Sequence, residues 1–468
     1  MKQAGIDLLE HIPDYTYFYT LEEFDRSSRA LARRFPETVE LREIGKTREG
    51  RPLLCLKIGR GHDNVLMMGC PHPNEPIGSM LLEYFSQQLA SSDALRAAYP
   101  YTFYIVKVWD ADAYKKNEGW LKGPYTVTNY ARNIFRPAGY EQVDWTFPVD
   151  YKKLHFHDSI PETLAMKALI DEIRPKFIYS LHNSGFGGVY WYMTKPLERI
   201  FPQLWEIPRK NGLPLSLGEA ESPSAEVFGD AIFSGSGGVI AQYDYLEKYN
   251  GEEAAAKLRC GNNAASYSFR NYGSFTLLTE LPYFYDPRIE DQTPSPTERR
   301  AGILRKSEEN GKMSRELREI LAVSRDYMGE DNPFRKAVEA FSAERGSSAA
   351  LKNMVDADES YHRQATVAEE LDMRYVSKFY KLISYGMLVR ANKLALERLE
   401  PGSNSEAETA LKKGQALAEA AFDRVAAMLE EALHYSVVPI RNLIAVQLES
   451  GLLTMEELEH GTLTCGEG

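Results

Sequence analysis

Cysteine is scarce in this sequence. Four thiols, Cys55, Cys70, Cys260 and Cys465, stand far apart with no Cys-x-x-Cys pair among them. That spacing excludes a disulfide framework and a cysteine-built zinc site. Long apolar runs are missing as well: nothing reaches the roughly 18 residues that a bilayer span needs. The opening MKQAGIDLLEHIPDYTYF is broken by Asp7, Glu10 and Asp14, so it lacks the apolar centre of a secretion signal. These absences point to a soluble, cytoplasmic chain with no membrane partner. Basic residues are outnumbered, 55 Lys and Arg against 67 Asp and Glu, for a net charge of −12. A nucleic-acid partner is therefore not expected, although a local basic pocket for an anion is compatible with this balance.

What is present reads as two parts. All five tryptophans, 109, 120, 145, 191 and 205, lie in the first half, where short β-type runs alternate with helical spacing. Val65–Met68, Phe103–Trp109, Phe177–Leu181 and Phe275–Leu281 read as strands, and 21–35 and 77–89 as helices. Strands separated by helices predict an α/β fold with a mixed central sheet flanked by helices over residues 1–290. The proline-containing stretch 287–298 reads as the exit from that domain. Residues 291–468 read as an all-α C-terminal domain. Val367, Leu371, Tyr375, Phe379 and Leu382, and then Ala418, Phe422, Val425 and Leu429, recur at helical steps, with a turn at 401–403 between them. Those stripes must be covered by each other, by the first domain, or by a second copy in a homo-oligomer.

The sharpest chemistry follows the first apolar run, in Cys70-Pro-His72-Pro-Asn-Glu75-Pro76. A histidine and a carboxylate on one tight turn can hold a metal ion from one side, and two His with one Glu is a catalytic zinc set with an open fourth position. His182, at the end of Phe177–Leu181 and before a glycine-rich loop, is the candidate third ligand. Glu280 closes an apolar run, where a carboxylate is costly unless it is paired or functional, so it is the candidate general base. Arg132 and Arg136 lie in one segment beside aromatics and could clamp a carboxylate. His155 and His157 share a face of an extended segment without an evident third ligand, and His362 and His434 read as helical surface or structural positions.

In this order these segments resemble the zinc metallocarboxypeptidases of the carboxypeptidase A type. Residues 35–53, FPETVELREIGKTREGRPL, are similar to that family's entry segment, and the likeness runs over about residues 15–285. The resemblance implies one Zn²⁺ per chain on His72, Glu75 and His182, with Glu280 as general base. It implies Arg132 as the clamp for a terminal carboxylate, with Asn133 and Phe135 continuing that motif around an inserted Ile134. Tyr267 is the candidate for the tyrosine that covers the substrate. The family's asparagine before the arginine is Ala131 here, and its Asn-Pro-Asp-Gly turn is replaced by residues 110–113. The arginine that polarises the scissile carbonyl has no obvious counterpart; Lys116 and Lys122 lie near its place. The implied reaction is zinc-dependent hydrolysis of a peptide or amide bond, releasing a C-terminal residue from a substrate with a free carboxylate. The alternatives are an amidase or deacylase on a small or cell-wall-derived amide, and a binding protein that keeps the fold without turnover.

Overall fold

The computed structural model describes residues 1–219, 225–251, 253, 258–343, 348–400 and 405–460; the expected turn at 401–403 and Cys465 lie outside them. Among the described residues nine strands form one mixed sheet. Its order is 39–46, 52–58, 101–106, 63–69, 177–181, 275–280, 190–193, 232–234 and 227–229. The four central strands, 101–106, 63–69, 177–181 and 275–280, run parallel to their neighbours, and the next strand on either side is antiparallel.

Side chains alternate across these strands, so each contributes to two layers. Val65, Met67, Phe103, Ile105, Phe177 and Tyr179 pack with the helices Ile77–Ser91 and Ile440–His460. Leu66, Met68, Tyr104, Val106 and Ile178 pack with the helix Pro161–Ile173 on the other face. Burial on both faces is why these strands read as unbroken apolar runs. The helix Ile77–Ser91 sits very close to the sheet: a Cβ on Gly78 would lie 2.3 Å from that of Leu181.

Beyond residue 290 the chain is mostly helical, with Arg299–Ala322, Pro333–Ser342, Ser377–Arg398, Ser405–Ala432 and Ile440–His460 as its main helices. Ala418, Phe422, Val425 and Leu429 are buried as their spacing predicts. Three short strands accompany these helices. Pro294–Glu298, inside the proline-containing stretch, pairs with Gln364–Thr366, and Ser436–Val437 pairs with Pro282–Tyr285 from the first half. His434 lies between helix and strand and His362 follows a 3₁₀ turn, so neither is helical. One apolar cluster runs from Leu8 to Leu458, across residue 290. No helix among the described residues is long and apolar enough to cross a membrane.

Candidate metal centre

The site forms where parallel strands end, the usual place for ligands in open α/β sheets. The strand Asp63–Gly69 leads through Cys70, held at φ 49°, into the turn that carries His72 and Glu75; the Glu75 N–H donates to the His72 carbonyl at 3.1 Å. The strand Phe177–Leu181 delivers His182, whose N–H donates to Thr279 O at 3.1 Å, and the neighbouring strand ends at Glu280. The four side chains are nearly enclosed, with 6, 1, 2 and 7% exposure for His72, Glu75, His182 and Glu280.

The imidazole rings of His72 and His182 lie edge to face with centroids 5.0 Å apart. His182 Nδ1 is 3.0 Å from Glu75 Oε2 and 3.8 Å from Glu280 Oε1. Its Nε2 lies 2.9 Å from Ser180 Oγ, which fixes the ring. Buried ring nitrogens normally find a hydrogen-bond partner. Yet Nδ1 of both histidines is buried without a properly directed one, even though Glu75 stands beside His182. Among the described residues, His72, Glu75 and His182 are the one such group whose ligand atoms all lie within 4.8 Å of each other. Two orphaned imidazole nitrogens and one carboxylate fit the donor set of a single zinc ion. Burial pushes His72 well below its ordinary pKa, with Arg136 and His182 adding to the effect, so its ring is neutral as a metal ligand must be.

Polar neighbours hold the ligands in place. Glu75 Oε2 accepts from the Asn183 N–H at 3.2 Å, and Glu75 Oε1 accepts from Arg136 Nη1 at 3.0 Å. The Tyr283 hydroxyl is 3.0 Å from both Asn74 O and Asn183 Oδ1, and the Tyr130 hydroxyl accepts from Asn74 Nδ2 at 3.1 Å. Gln447, from the C-terminal helix, donates to the carbonyl of His182 at 3.0 Å. Burial pushes Asp144 up to about 6, with His182 partly opposing the shift.

Of the remaining expected site residues, only Arg136 reaches this cluster. Arg132 Nη2 donates to Asp423 at 2.7 Å, and its guanidinium lies 4.3 Å from the centre of the Phe422 ring. Both partners belong to the helix Ser405–Ala432, which draws Arg132 toward the tail. Asn133 Nδ2 bonds back to Asn129 within its own helix. Tyr267 donates to Asp171 at 2.7 Å and packs on Phe147. Lys116 pairs with Glu49 and Lys122 with Glu23. His155 and His157 both turn to Asp150, at 2.8 and 3.1 Å, and all three are exposed. Cys70 is buried against Ser79 and the carbonyl of Glu75, and burial pushes its thiol up, away from nucleophilic use. Tyr283 and Gln447 escaped the sequence reading. Tyr283 closely follows Glu280, a usable signal, whereas Gln447 is one of many polar residues in a helix far along the chain.

The sequence model of the zinc carboxypeptidase family matches residues 25–276, more than half of the chain. No curated protein gives a significant sequence match. Among solved structures, carboxypeptidase A from Helicoverpa armigera is 17% identical with a TM-score of 0.38, the match covering 57% of this chain and 65% of that one. The metallo-carboxypeptidase from Burkholderia cenocepacia is 18% identical with a TM-score of 0.31, covering 58% of this chain and 61% of that one. Both matches thus span less than two thirds of those chains.

Proposed function

This chain belongs to the zinc carboxypeptidase family, and on that premise we propose that it hydrolyses a peptide or amide bond beside a terminal carboxylate, with Glu280 as general base. The observation that carries the reading is the pair of orphaned imidazole nitrogens at the strand ends, with Glu75 and Glu280 beside them. His72, Glu75 and His182 would hold the ion. Bound there, zinc supplies a Lewis acid and an acidified water.

The chain's own groups do the rest. Glu280, on the rim of the cluster, takes the proton from the attacking water at its carboxylate and returns it to the leaving amine. Asn183 and the Ser180 hydroxyl keep Glu75 and His182 aimed, so that little reorganisation is needed during the reaction. Arg136 donates one N–H to Glu75, and its side chain is 30% exposed. Among the described residues the rest of its guanidinium fork has no hydrogen-bond acceptor, and it can take a substrate carboxylate in the bidentate manner suited to arginine. This gives Arg136 the clamp role that the motif assigned to Arg132.

A binding protein would need no carboxylate at the position of Glu280. Glu280→Gln tests this directly. The variant should bind about one zinc per chain like the wild type, while turnover of the best peptide falls by about a hundredfold or more. Unchanged turnover would remove Glu280 as the base. Unchanged zinc content in a His72→Ala/Glu75→Ala variant would remove the metal centre.

A further inference from the structure

The helix Ser377–Arg398 of the C-terminal part crosses directly over the helix Val127–Asn133. A Cβ on Gly386 would lie 2.1 Å from Ala131 O and 3.2 Å from the Cα of Arg132. One turn further along, Arg390 reaches past this crossing. Its Nη1 donates to Asn133 O at 2.6 Å and Ile134 O at 3.0 Å, and its Nη2 donates to Lys116 O at 2.7 Å. Phe334 lies against the guanidinium at 4.3 Å. Its polar partners among the described residues are these three carbonyls, with no carboxylate among them. Desolvation pulls its pKa down to about 10, still far above neutrality, so the cation persists.

A half-buried arginine that binds carbonyls rather than an acid is an expensive way to hold a loop, because the charge gains no ion pair. What it holds is specific. The same two segments are also joined by Asn117, whose Oδ1 accepts from the Phe135 N–H at 2.8 Å and whose Nδ2 donates to Phe135 O at 2.9 Å. Asn117 and Arg390 together fix the backbone from 133 to 135. The next residue is Arg136, whose Nη1 meets Glu75 Oε1 at 3.0 Å.

We infer that Arg390 is a positioning residue. It clamps the carbonyls of Lys116, Asn133 and Ile134 so that Arg136 is presented to the metal cluster, which makes the C-terminal helices part of the substrate-orienting apparatus. The inference rests on the reading of Arg136 as the carboxylate clamp. Orientation of a reacting group is worth a great deal: a displacement of about 1 Å can reduce rate by about a hundredfold.

The test is a double-mutant comparison on the full-length zinc-loaded protein. The substrate is an N-blocked dipeptide with a free C-terminus, and the variants are Arg390→Met, Arg136→Ala and the pair. Arg390→Met should keep its zinc and lose about tenfold or more in kcat/KM. In the Arg136→Ala background it should cost almost nothing more, because its effect passes through Arg136. Hydrogen exchange at the amides of 133–136 should quicken in Arg390→Met while the sheet is unaffected. Additive losses in the double variant, or unchanged exchange at 133–136, would overturn the inference. Full activity in Arg136→Ala alone would bring down the reading of Arg136, and the inference with it; the exchange measurement separates that result from absence of the clamp. If Arg390→Met does not fold, Arg390→Lys carries the same comparison. It keeps charge and stem but lacks the fork that spans three carbonyls.

Discussion

Arg132 and Arg136 are four positions apart on the chain and face different partners. Arg132 is spent on Asp423 and Phe422 of a tail helix, whereas Arg136 reaches Glu75. On free-acid peptides Arg136→Ala should therefore lose about a hundredfold in kcat/KM and on their C-terminal amides far less. Arg132→Ala should leave both within about twofold and cost under about 1 kcal/mol of stability, as exposed ion pairs do. Matched steady-state assays on the acid and amide pair check this, and a larger loss from Arg132→Ala would return the clamp to that residue. The clustering of these side chains was legible because the signal is local: His72 and Glu75 share one turn, and His182 and Glu280 each close an apolar run. The direction of Arg132 was not, because an arginine points to what packs against it. Here that is Asp423, nearly three hundred residues away in sequence. The direction of Tyr267 was hidden for the same reason, since Asp171 holds its hydroxyl.

Among the elements, the central strands were legible because both faces are buried and composition alone marks them. The helices of the C-terminal part were legible as helices, but not in their placement. Ala131, which stands where the family has asparagine, is fully buried beneath the helix Ser377–Arg398. What meets the crossing helix is the backbone of Ala131, whose carbonyl oxygen lies 2.1 Å from where a Cβ on Gly386 would stand. Gly386 is the matching accommodation on the other side. On an exposed helix, Gly→Ala would stabilise by about 1 kcal/mol. At this crossing Gly386→Ala should instead destabilise by about 1–3 kcal/mol, the usual cost of overpacking. A chemical-denaturation midpoint that rises would show that the two helices are not in tight contact.

At the scale of the whole molecule, the division at residue 290 stays a proposal about folding units, and the shared apolar cluster bears on it. The C-terminal helix covers the sheet face that carries Tyr179, which donates to Gln447 O, and Trp191, which donates to Ser450. Residues 1–290 expressed alone should be poorly soluble, because that face would be bare. A soluble, monomeric and equally active fragment would show that the tail neither supports the fold nor serves the site. Stability should also depend on pH through Asp110. Burial pushes its carboxyl from 3.8 up to about 7, while Arg48, 3.9 Å away, partly opposes the shift and Glu162 and Asp112 add to it. The folded protein thus keeps a proton that the unfolded chain has already lost, so this group's contribution to stability declines as pH rises from about 4 to about 7. The difference in denaturation midpoint between the wild type and Asp110→Asn should therefore move against the wild type as pH rises across that range. Equal slopes would place the proton elsewhere.

The hydrogen bond from Gln447 to the carbonyl of His182 joins residues made at very different times. During translation the strand bearing His182 leaves the ribosome long before the helix that shields it. The nascent chain therefore has both histidines and both glutamates in hand while one side of its sheet is still uncovered. The surroundings of the His72, Glu75 and His182 cluster are therefore complete only after the last-made helix has docked.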